Sequence, residues 1–276
     1  MIDAHHHLWE YNREEYSWIE DSMKVLRRDY LAGDLVEVCE KEGVSGTVVV
    51  QARQSLKETG WLLAIAEKSE LIRGVVGWVD LRSDAAGDQL SAWAPHRKFA
   101  GVRHVLQDEP ERDLMLHPSF REGMARLKPH RLTYDLLIHP DQLEYAIELA
   151  ASFPEQKFVL DHMAKPPIRS GRIHPWQEHL EQLARHPNVW CKISGLVTEA
   201  DGRNWSYESL LPYMEVAVQA FGKDRIMLGS DWPVCLLAAG YAEVMEIYNR
   251  FFDGWSPEAK RKIYFQNAVD CYELEV

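Results

Sequence analysis

The stretch LTYDLLIHPDQLEYAIELAASFPEQKFVLDHM, residues 132–163, is the unit from which the fold of this chain is predicted. Its ends, 132–138 and 157–163, are short apolar runs of the kind that form buried strands. Between them, residues 140–153 place apolar side chains three and four positions apart, and Pro140 suits a first helical turn. A strand, a helix and a second strand in this order favour a right-handed crossover between parallel strands.

The same alternation continues along the whole chain. Strand-type runs occur eight times, at 1–6, 45–52, 72–81, 99–107, 132–138, 157–163, 189–196 and 225–232. Helical spacing recurs between them, most clearly at 56–69, 118–127, 140–153, 175–186 and 207–221, and Ser256-Pro257-Glu258 predicts the start of a last helix. Eight such units in 276 residues favour a closed (β/α)8 TIM barrel over an open, doubly wound sheet. No linker interrupts the pattern, so we expect one domain spanning residues 1–276.

Charge and composition narrow the range of partners. The formal net charge is −12, which gives no basic surface to attract nucleic acid or anionic lipid. No apolar run approaches the ~20 residues that span a bilayer, and the N-terminus lacks the pattern of a secretory leader. The four cysteines include no CxxC pair, and we interpret Cys191 and Cys235 as buried packing. We therefore expect a cytoplasmic protein without nucleic-acid or membrane partners, and the sequence leaves a homo-oligomer open.

In a TIM barrel the functional side chains lie at the carboxyl-terminal ends of the strands. Polar and aromatic residues do follow the apolar runs here, and we predict substrate contacts from Gln51, Arg53, Trp78, Arg103, His104, Asp135, Lys192 and Trp232. The three cationic residues of this set could hold a substrate carbonyl oxygen, or could instead form ion pairs at the barrel mouth. The tryptophans, together with Trp9, could face a sugar ring or could simply pack.

The triplet His5-His6-His7 ends the first predicted strand. Because side chains alternate along a strand, His5 and His7 should share one face and His6 should point away. A purification tag is the competing interpretation, but a tag is normally a longer run at a free end. Here MID precedes the triplet and the apolar pair LW follows it, which favours chemistry.

Several motifs resemble one known family. They are IDAHHHLW (2–9), VQAR (50–53), VVGWVDLR (75–82), RHVLQDE (103–109), YDLLI (134–138), LDHMAKP (160–166), CKISGLVTEAD (191–201) and GSDWPVCLLA (229–238). Together they resemble the amidohydrolase superfamily, and within it the amidohydrolase-2 branch of sugar-acid lactonases. The resemblance implies a barrel of the amidohydrolase type that opens the lactone ring of an aldonic acid. The implied substrate is a small-molecule lactone, L-fuconolactone-like or another deoxy-aldonolactone, in L-fucose degradation.

The resemblance implies a reaction centre of His5, His7, His162 and Asp231. These four side chains are also a reasonable ligand set for one divalent ion, zinc or manganese. No metal is strictly required, since related lactonases work without one. Relatives with two ions use a bridging lysine or glutamate after strand four and a histidine on strand five. Strand four here offers Arg103, His104 and Gln107, and His139 reads as a solvated turn residue, so we do not expect a two-metal centre.

The chemistry of lactone hydrolysis independently requires a general base, a polarised carbonyl group and a proton for the leaving oxygen. Asp231, beside Trp232, is the predicted base, and helix capping is the alternative role for this aspartate. Two competing functions remain. One is metal-dependent amide hydrolysis or decarboxylation on the same barrel, and the other is sugar-acid binding without turnover.

Overall fold

The computed structural model describes residues 1–276, and its centre is a sheet of eight parallel strands. Each strand is hydrogen-bonded to the next one in chain order. Backbone hydrogen bonds from His7 N to Trp232 O (2.6 Å) and from Asp231 N to His5 O (2.8 Å) join the first strand to the segment after the last. The predicted (β/α)8 barrel is confirmed. The strands are β1 Ile2–His6, β2 Gly46–Val50, β3 Ile72–Gly77, β4 Phe99–His104, β5 Thr133–Leu136, β6 Phe158–Leu160, β7 Val189–Ile193 and β8 Ile226–Leu228.

Helices follow the strands and surround the sheet. The side chains of Ser55, Ser206 and Ser256 accept hydrogen bonds from the first turns of the helices they precede, as N-caps do. None of the helices combines the length and the apolar character needed to cross a membrane. The α-helices are α1 Ala32–Lys41, α2 Leu56–Glu67, α3 Ala86–Trp93, α4 Pro118–Ala125, α5 Leu143–Ser152, α6 Trp176–Ala184, α7 Leu196–Glu199, α8 Tyr207–Phe221, α9 Tyr241–Phe251, α10 Pro257–Arg261 and α11 Asn267–Tyr272.

The apolar core has two layers. The larger one fills the space between sheet and helices, and the smaller one lies inside the barrel, where Val48 and Val50 of β2 meet the C-terminal segment. Tyr272 and Leu274 belong to this inner cluster, and Leu274 approaches Gly74 near the start of β3. The end of the chain therefore closes the amino-terminal end of the barrel. The C-terminal segment does not cover the opposite end of the barrel, where the strands finish and where TIM-barrel active sites lie.

The sixth and eighth strands are shorter than predicted. The sixth was expected over 157–163 and ends at Leu160, and the eighth was expected over 225–232 and ends at Leu228. His162 lies two residues after the end of β6 and Asp231 three residues after the end of β8, and their φ angles are 51° and 57°. A strand cannot contain such left-handed residues, so the chain leaves the sheet at both points.

Candidate active site

Three imidazole rings converge on one carboxylate oxygen at the carboxyl-terminal end of the barrel. The Nε2 atoms of His7, His5 and His162 lie 3.4, 3.8 and 3.9 Å from Oδ1 of Asp231. The two Nε2 atoms of His5 and His7 are 3.2 Å apart. All four residues are buried, with at most 5% of their surface exposed. The structure thus brings together the four residues of the predicted reaction centre.

The first strand is irregular where it supplies these histidines. The register between β1 and β2 shifts between Asp3 and His6, as in a β-bulge. His5 and His7 lie side by side, whereas His6 turns away and places Nε2 3.0 Å from Thr47 Oγ1. Simple alternation would also put Asp3 on the face of His5. Instead Asp3 contacts Tyr241 of α9, because the bulge changes the alternation.

The backbone is strained where it supplies His162 and Asp231. The four residues of the turn after β6, His162 to Lys165, all have φ between 51° and 56°. A left-handed conformation costs roughly 1–2 kcal/mol for each residue with a side chain. Gly195 (φ 63°) lies against His162, and a Cβ there would be 2.7 Å from the His162 Nδ1 atom. Such strain is typical of functional sites, where surrounding contacts maintain it.

Asp3 is a residue of the site that the sequence reasoning missed. Its carboxylate accepts hydrogen bonds from Ser230 Oγ (2.6 Å), Ser230 N (2.8 Å), Tyr241 Oη (3.0 Å) and His5 N (3.2 Å). These bonds connect β1 to the residue directly before Asp231. The sequence did contain a signal for Asp3, because it is a charged residue within the otherwise apolar start of the first strand. A carboxylate is buried at such a position only if hydrogen bonds compensate for its loss of water.

Each of the three histidines also has a partner at Nδ1. That atom lies 2.8 Å from Val50 O in His7, 2.8 Å from Ser194 Oγ in His162 and 3.2 Å from Asp161 Oδ1 in His5. Outer partners of this kind orient the rings of metal-binding histidines.

The donor atoms have the spacing that a small cation requires. The coordinating atoms of His5, His162 and Asp231 all lie within 4.8 Å of one another. Ligands of a tetrahedral zinc ion are about 3.3 Å apart. The distances from the Nε2 atoms of His5 and His162 to Oδ1 of Asp231, 3.8 and 3.9 Å, are near this value, so these three residues fit one divalent ion.

Charged neighbours fix the protonation of the cluster. Burial would raise the pKa of Asp231, but His162, His7 and His5 outweigh it and hold that pKa below its usual value. Burial lowers the pKa of His162 to about 4, against the attraction of Asp231. Burial would likewise raise the pKa of Asp161, but Lys192, His5 and Arg103 keep it well below its usual value. At neutral pH the site therefore combines neutral imidazole with ionised carboxylates.

Arg103 contacts the cluster of histidines and aspartates directly, and Gln51 is linked to the cluster by its hydrogen bonds with Arg103. Arg103 Nη1 donates to Asp161 Oδ2 (2.9 Å) and lies 3.4 Å from His5 Nε2, and its Nη2 donates to the backbone oxygen of Gln51. The Gln51 side chain is fully buried, and its Nε2 donates to Arg103 O (3.4 Å). Arg103 is therefore ion-paired with Asp161, as one of the two interpretations of this residue expected, and its Nη1 atom also contacts His5.

Asp135 and Lys192 do not lie where the sequence placed them. Both were predicted to contact substrate, and both are fully buried inside the barrel. Asp135 accepts hydrogen bonds from Lys192 Nζ (2.6 Å), Tyr272 Oη (2.6 Å) and Thr133 Oγ1 (3.2 Å). Both residues lie within strands, β5 and β7, and their contact with substrate stays a prediction.

Other predicted contacts are at the periphery of the site or covered. Arg53 pairs with Glu15 (3.0 Å) beside the ring of Tyr16. Trp78 Nε1 donates to His104 Nδ1 (3.3 Å), so these two residues bind each other. Trp232 is only 2% exposed and packs against Tyr30, which leaves it no open face for a sugar ring. Trp9 is fully buried in the same aromatic cluster.

A closed parallel barrel with histidines and an aspartate gathered at the carboxyl-terminal ends of its first, sixth and eighth strands is the arrangement of a barrel enzyme. The chain belongs to the Amidohydrolase family, whose model matches residues 2–274. The predicted family is confirmed.

Individual relatives match over almost the whole chain. An L-fucono-1,5-lactonase of Burkholderia multivorans is 38% identical over 284 residues, which cover 99% of this chain and 96% of the relative. An L-fucono-1,5-lactonase of Burkholderia ambifaria is 34% identical over 281 residues, with the same two coverages. The crystal structure of a Burkholderia multivorans amidohydrolase with bound zinc is 37% identical and has a TM-score of 0.95, with 99% of both chains covered.

Proposed function

We propose that this protein opens the lactone ring of a sugar acid, an L-fuconolactone-like or another deoxy-aldonolactone. The proposal is based mainly on the position of the Asp231 carboxylate. Its Oδ1 atom lies 3.4 to 3.9 Å from three imidazole nitrogens, at the end of the barrel where TIM-barrel active sites lie. The names of the two lactonase relatives support this substrate class and a role in L-fucose degradation.

Asp231 is the general base in the proposed reaction. Its ionised carboxylate accepts a proton from water, and the water oxygen bonds to the lactone carbonyl carbon. The bond between that carbon and the ring oxygen then breaks, and the proton passes from Asp231 to the departing oxygen. The products are a hydroxyl group and a carboxylic acid. The acid ionises at neutral pH, so each turnover releases one proton.

Arg103 stabilises the negative charge that develops on the carbonyl oxygen. Its Nη1 atom is next to His5 Nε2, at 3.4 Å, and its charge is fixed there by Asp161. A buried, preorganised cation acts more strongly than one in water. Arg53, the other arginine predicted for this task, is paired with Glu15 at the periphery.

The donor set fits one divalent ion, and we propose zinc or manganese. His5, His162 and Asp231 would hold it, with His7 beside them. A bound ion supplies Lewis-acid polarisation of the carbonyl group and lowers the pKa of water. Asp231 is buried, and its charged-group partners are three histidines rather than a lysine or an arginine, so a cation at this point would balance its negative charge. The zinc in the similar crystal structure supports this site.

A proton-release assay tests the function. Purified protein is given L-fucono-1,5-lactone, other aldonolactones, lactams and peptide amides in weak buffer with a pH indicator, with and without chelator. We expect acid release from deoxy-aldonolactones, and the chelator arm measures the dependence on an ion. Amide hydrolysis or carbon dioxide release from aromatic acids, in the absence of lactone turnover, would contradict the proposal.

A further inference from the structure

An ion pair that the proposed reaction does not use lies close to the reaction centre. Lys165 Nζ is 3.2 Å from Glu199 Oε1. The two side chains are 20% and 24% exposed, whereas those of a surface pair such as Lys41 and Glu37 are 65% and 72% exposed. The pair is therefore neither part of the core nor surrounded by water.

Both residues are fixed relative to His162. Lys165 ends the left-handed turn that contains His162, and its backbone nitrogen donates to His162 O (2.7 Å). Glu199 ends α7, which begins directly after Gly195, and Gly195 lies against the His162 ring. Ser194, directly before Gly195, has its Oγ 2.8 Å from His162 Nδ1. The turns after β6 and β7 thus bring the ion pair to the carboxyl-terminal end of the barrel, beside the reaction centre.

Neither charged group is saturated by the protein. The ammonium group of Lys165 and the carboxylate of Glu199 have no ionic partner other than each other, and neither group hydrogen-bonds another side chain or the backbone. An ammonium group can donate three hydrogen bonds, and a carboxylate can accept about four. The pair therefore keeps both donors and acceptors for a ligand.

We propose that Lys165 and Glu199 form a subsite that binds two neighbouring hydroxyl groups of the sugar ring and so selects polyhydroxylated lactones. This inference deepens the proposed function and rests on it. A hydroxyl group both donates and accepts, so one hydroxyl can accept from Lys165 while its neighbour donates to Glu199. Neighbouring hydroxyl oxygens of a sugar ring have a spacing similar to the 3.2 Å between the two charged atoms.

The charges around the pair favour a neutral ligand over an anion. A lysine alone would attract a carboxylate, but Glu199 balances the charge of Lys165. Burial lowers the pKa of the neighbouring His139, and Lys165 lowers it further against the opposing effect of Glu199, so this imidazole is neutral at neutral pH. Arg112, also near His139, forms two hydrogen bonds of 2.8 Å with Asp141. The region has no net charge, which suits hydroxyl groups.

Two lactones that differ only in their hydroxyl groups test the inference. L-fucono-1,5-lactone and the matching enantiomer of δ-hexanolactone share the lactone ring and the methyl group, but δ-hexanolactone has no ring hydroxyls. We expect Lys165→Met and Glu199→Gln each to lower kcat/KM for L-fucono-1,5-lactone by about 10- to 100-fold, the effect of losing a hydrogen bond to a charged group. The value for δ-hexanolactone should stay within about twofold, because it makes no such bond.

Lys41→Met is the matched control. It also removes a lysine charge from an ion pair, but Lys41 and Glu37 (2.8 Å) are exposed on α1. It should leave the values for both lactones unchanged. If Lys165→Met fails to fold, Glu199→Gln, which preserves the size of the side chain, carries the test. Equal losses with both lactones, or no loss with L-fucono-1,5-lactone in a folded variant, would overturn the inference.

Binding of L-fucose, followed by ligand-observed NMR, supplies a readout that needs no turnover. This neutral sugar has the same ring hydroxyls and does not react, so it decides the matter if δ-hexanolactone is too slow to measure. We expect Lys165→Met and Glu199→Gln each to weaken its binding by at least about tenfold. Unchanged binding in folded variants, or no binding to the unmodified protein, would overturn the inference. If the unmodified protein binds L-fucose through this pair but opens no lactone, the proposed function alone fails.

Discussion

Gly229, directly before Ser230 and Asp231, allows β1 and β8 to approach closely. A Cβ at this position would lie 2.5 Å from the Cβ of His5 and 3.0 Å from its backbone nitrogen. Ordinary van der Waals contact begins near 3.4 Å, so Gly229→Ala must separate the two chain segments by about 0.9 Å. Neither atom belongs to a flexible side-chain end, so the backbone has to move. A displacement of about 1 Å in an active site can cost 10²-fold in rate.

We therefore expect Gly229→Ala to lower kcat by about 10²-fold and to destabilise the fold by about 1–3 kcal/mol, as overpacking does. Proton release under saturating lactone measures the rate, and thermal unfolding measures the stability. Gly123→Ala is the control for instability alone, because its Cβ would collide with the backbone oxygen of Leu81, outside the cluster. Its folded fraction should keep the normal kcat. Normal kcat in Gly229→Ala would refute the argument that this close approach sets the geometry of His5 and Asp231.

Three further predictions concern the histidines and the buried ion pair. His7→Ala should lower kcat by at least ~10²-fold, whereas His6→Ala should stay within a few-fold of the unmodified protein; equal losses would contradict the orientation of the two rings. Burial, with a smaller contribution from His7, lowers the pKa of His6 to about 3, so the folded protein resists protonation there while the unfolded chain accepts a proton. Stability should consequently fall as pH drops from 6.5 to 5, by about 2 kcal/mol for this group, and His6→Gln should remove that part of the slope in chelator-treated protein. Arg103→Met should destabilise the fold by about 3–5 kcal/mol in urea unfolding, because Asp161 loses one of its buried cationic partners; an unchanged midpoint would count against this ion pair.

The repeating pattern of strands and helices was sufficient to predict the barrel. Eight apolar runs separated by segments with helical spacing are compatible with few folds other than a barrel at this chain length. Apolar residues of these runs, such as Val48 and Val50, are indeed buried in the inner core. Strand ends were less predictable. The left-handed turn at His162 to Lys165 contains no glycine, so its sequence carries no signal that the strand stops at Leu160.

The reaction centre was predicted better than its surroundings. His5 and His7 share a strand face, and His162 and Asp231 follow strand ends, which are rules that a sequence can express. Asp135 and Lys192 also lie on strands, but whether a polar side chain reaches the mouth or stays inside depends on its depth along the barrel. Residues distant in sequence decide that depth. The hydroxyl of Tyr272, 137 positions away, is one partner that makes a buried Asp135 acceptable.

In the proposed reaction Asp231 takes the proton from the attacking water, and single-turnover hydrolysis of L-fucono-1,5-lactone by Asp231→Asn tests this role. Asparagine preserves the size of the side chain and one oxygen, but it cannot accept the proton at neutral pH. We expect the rate of ring opening to fall by ~10²–10⁴-fold while lactone binding changes far less. A folded Asp231→Asn protein that retains more than about a tenth of the normal rate would contradict the claim.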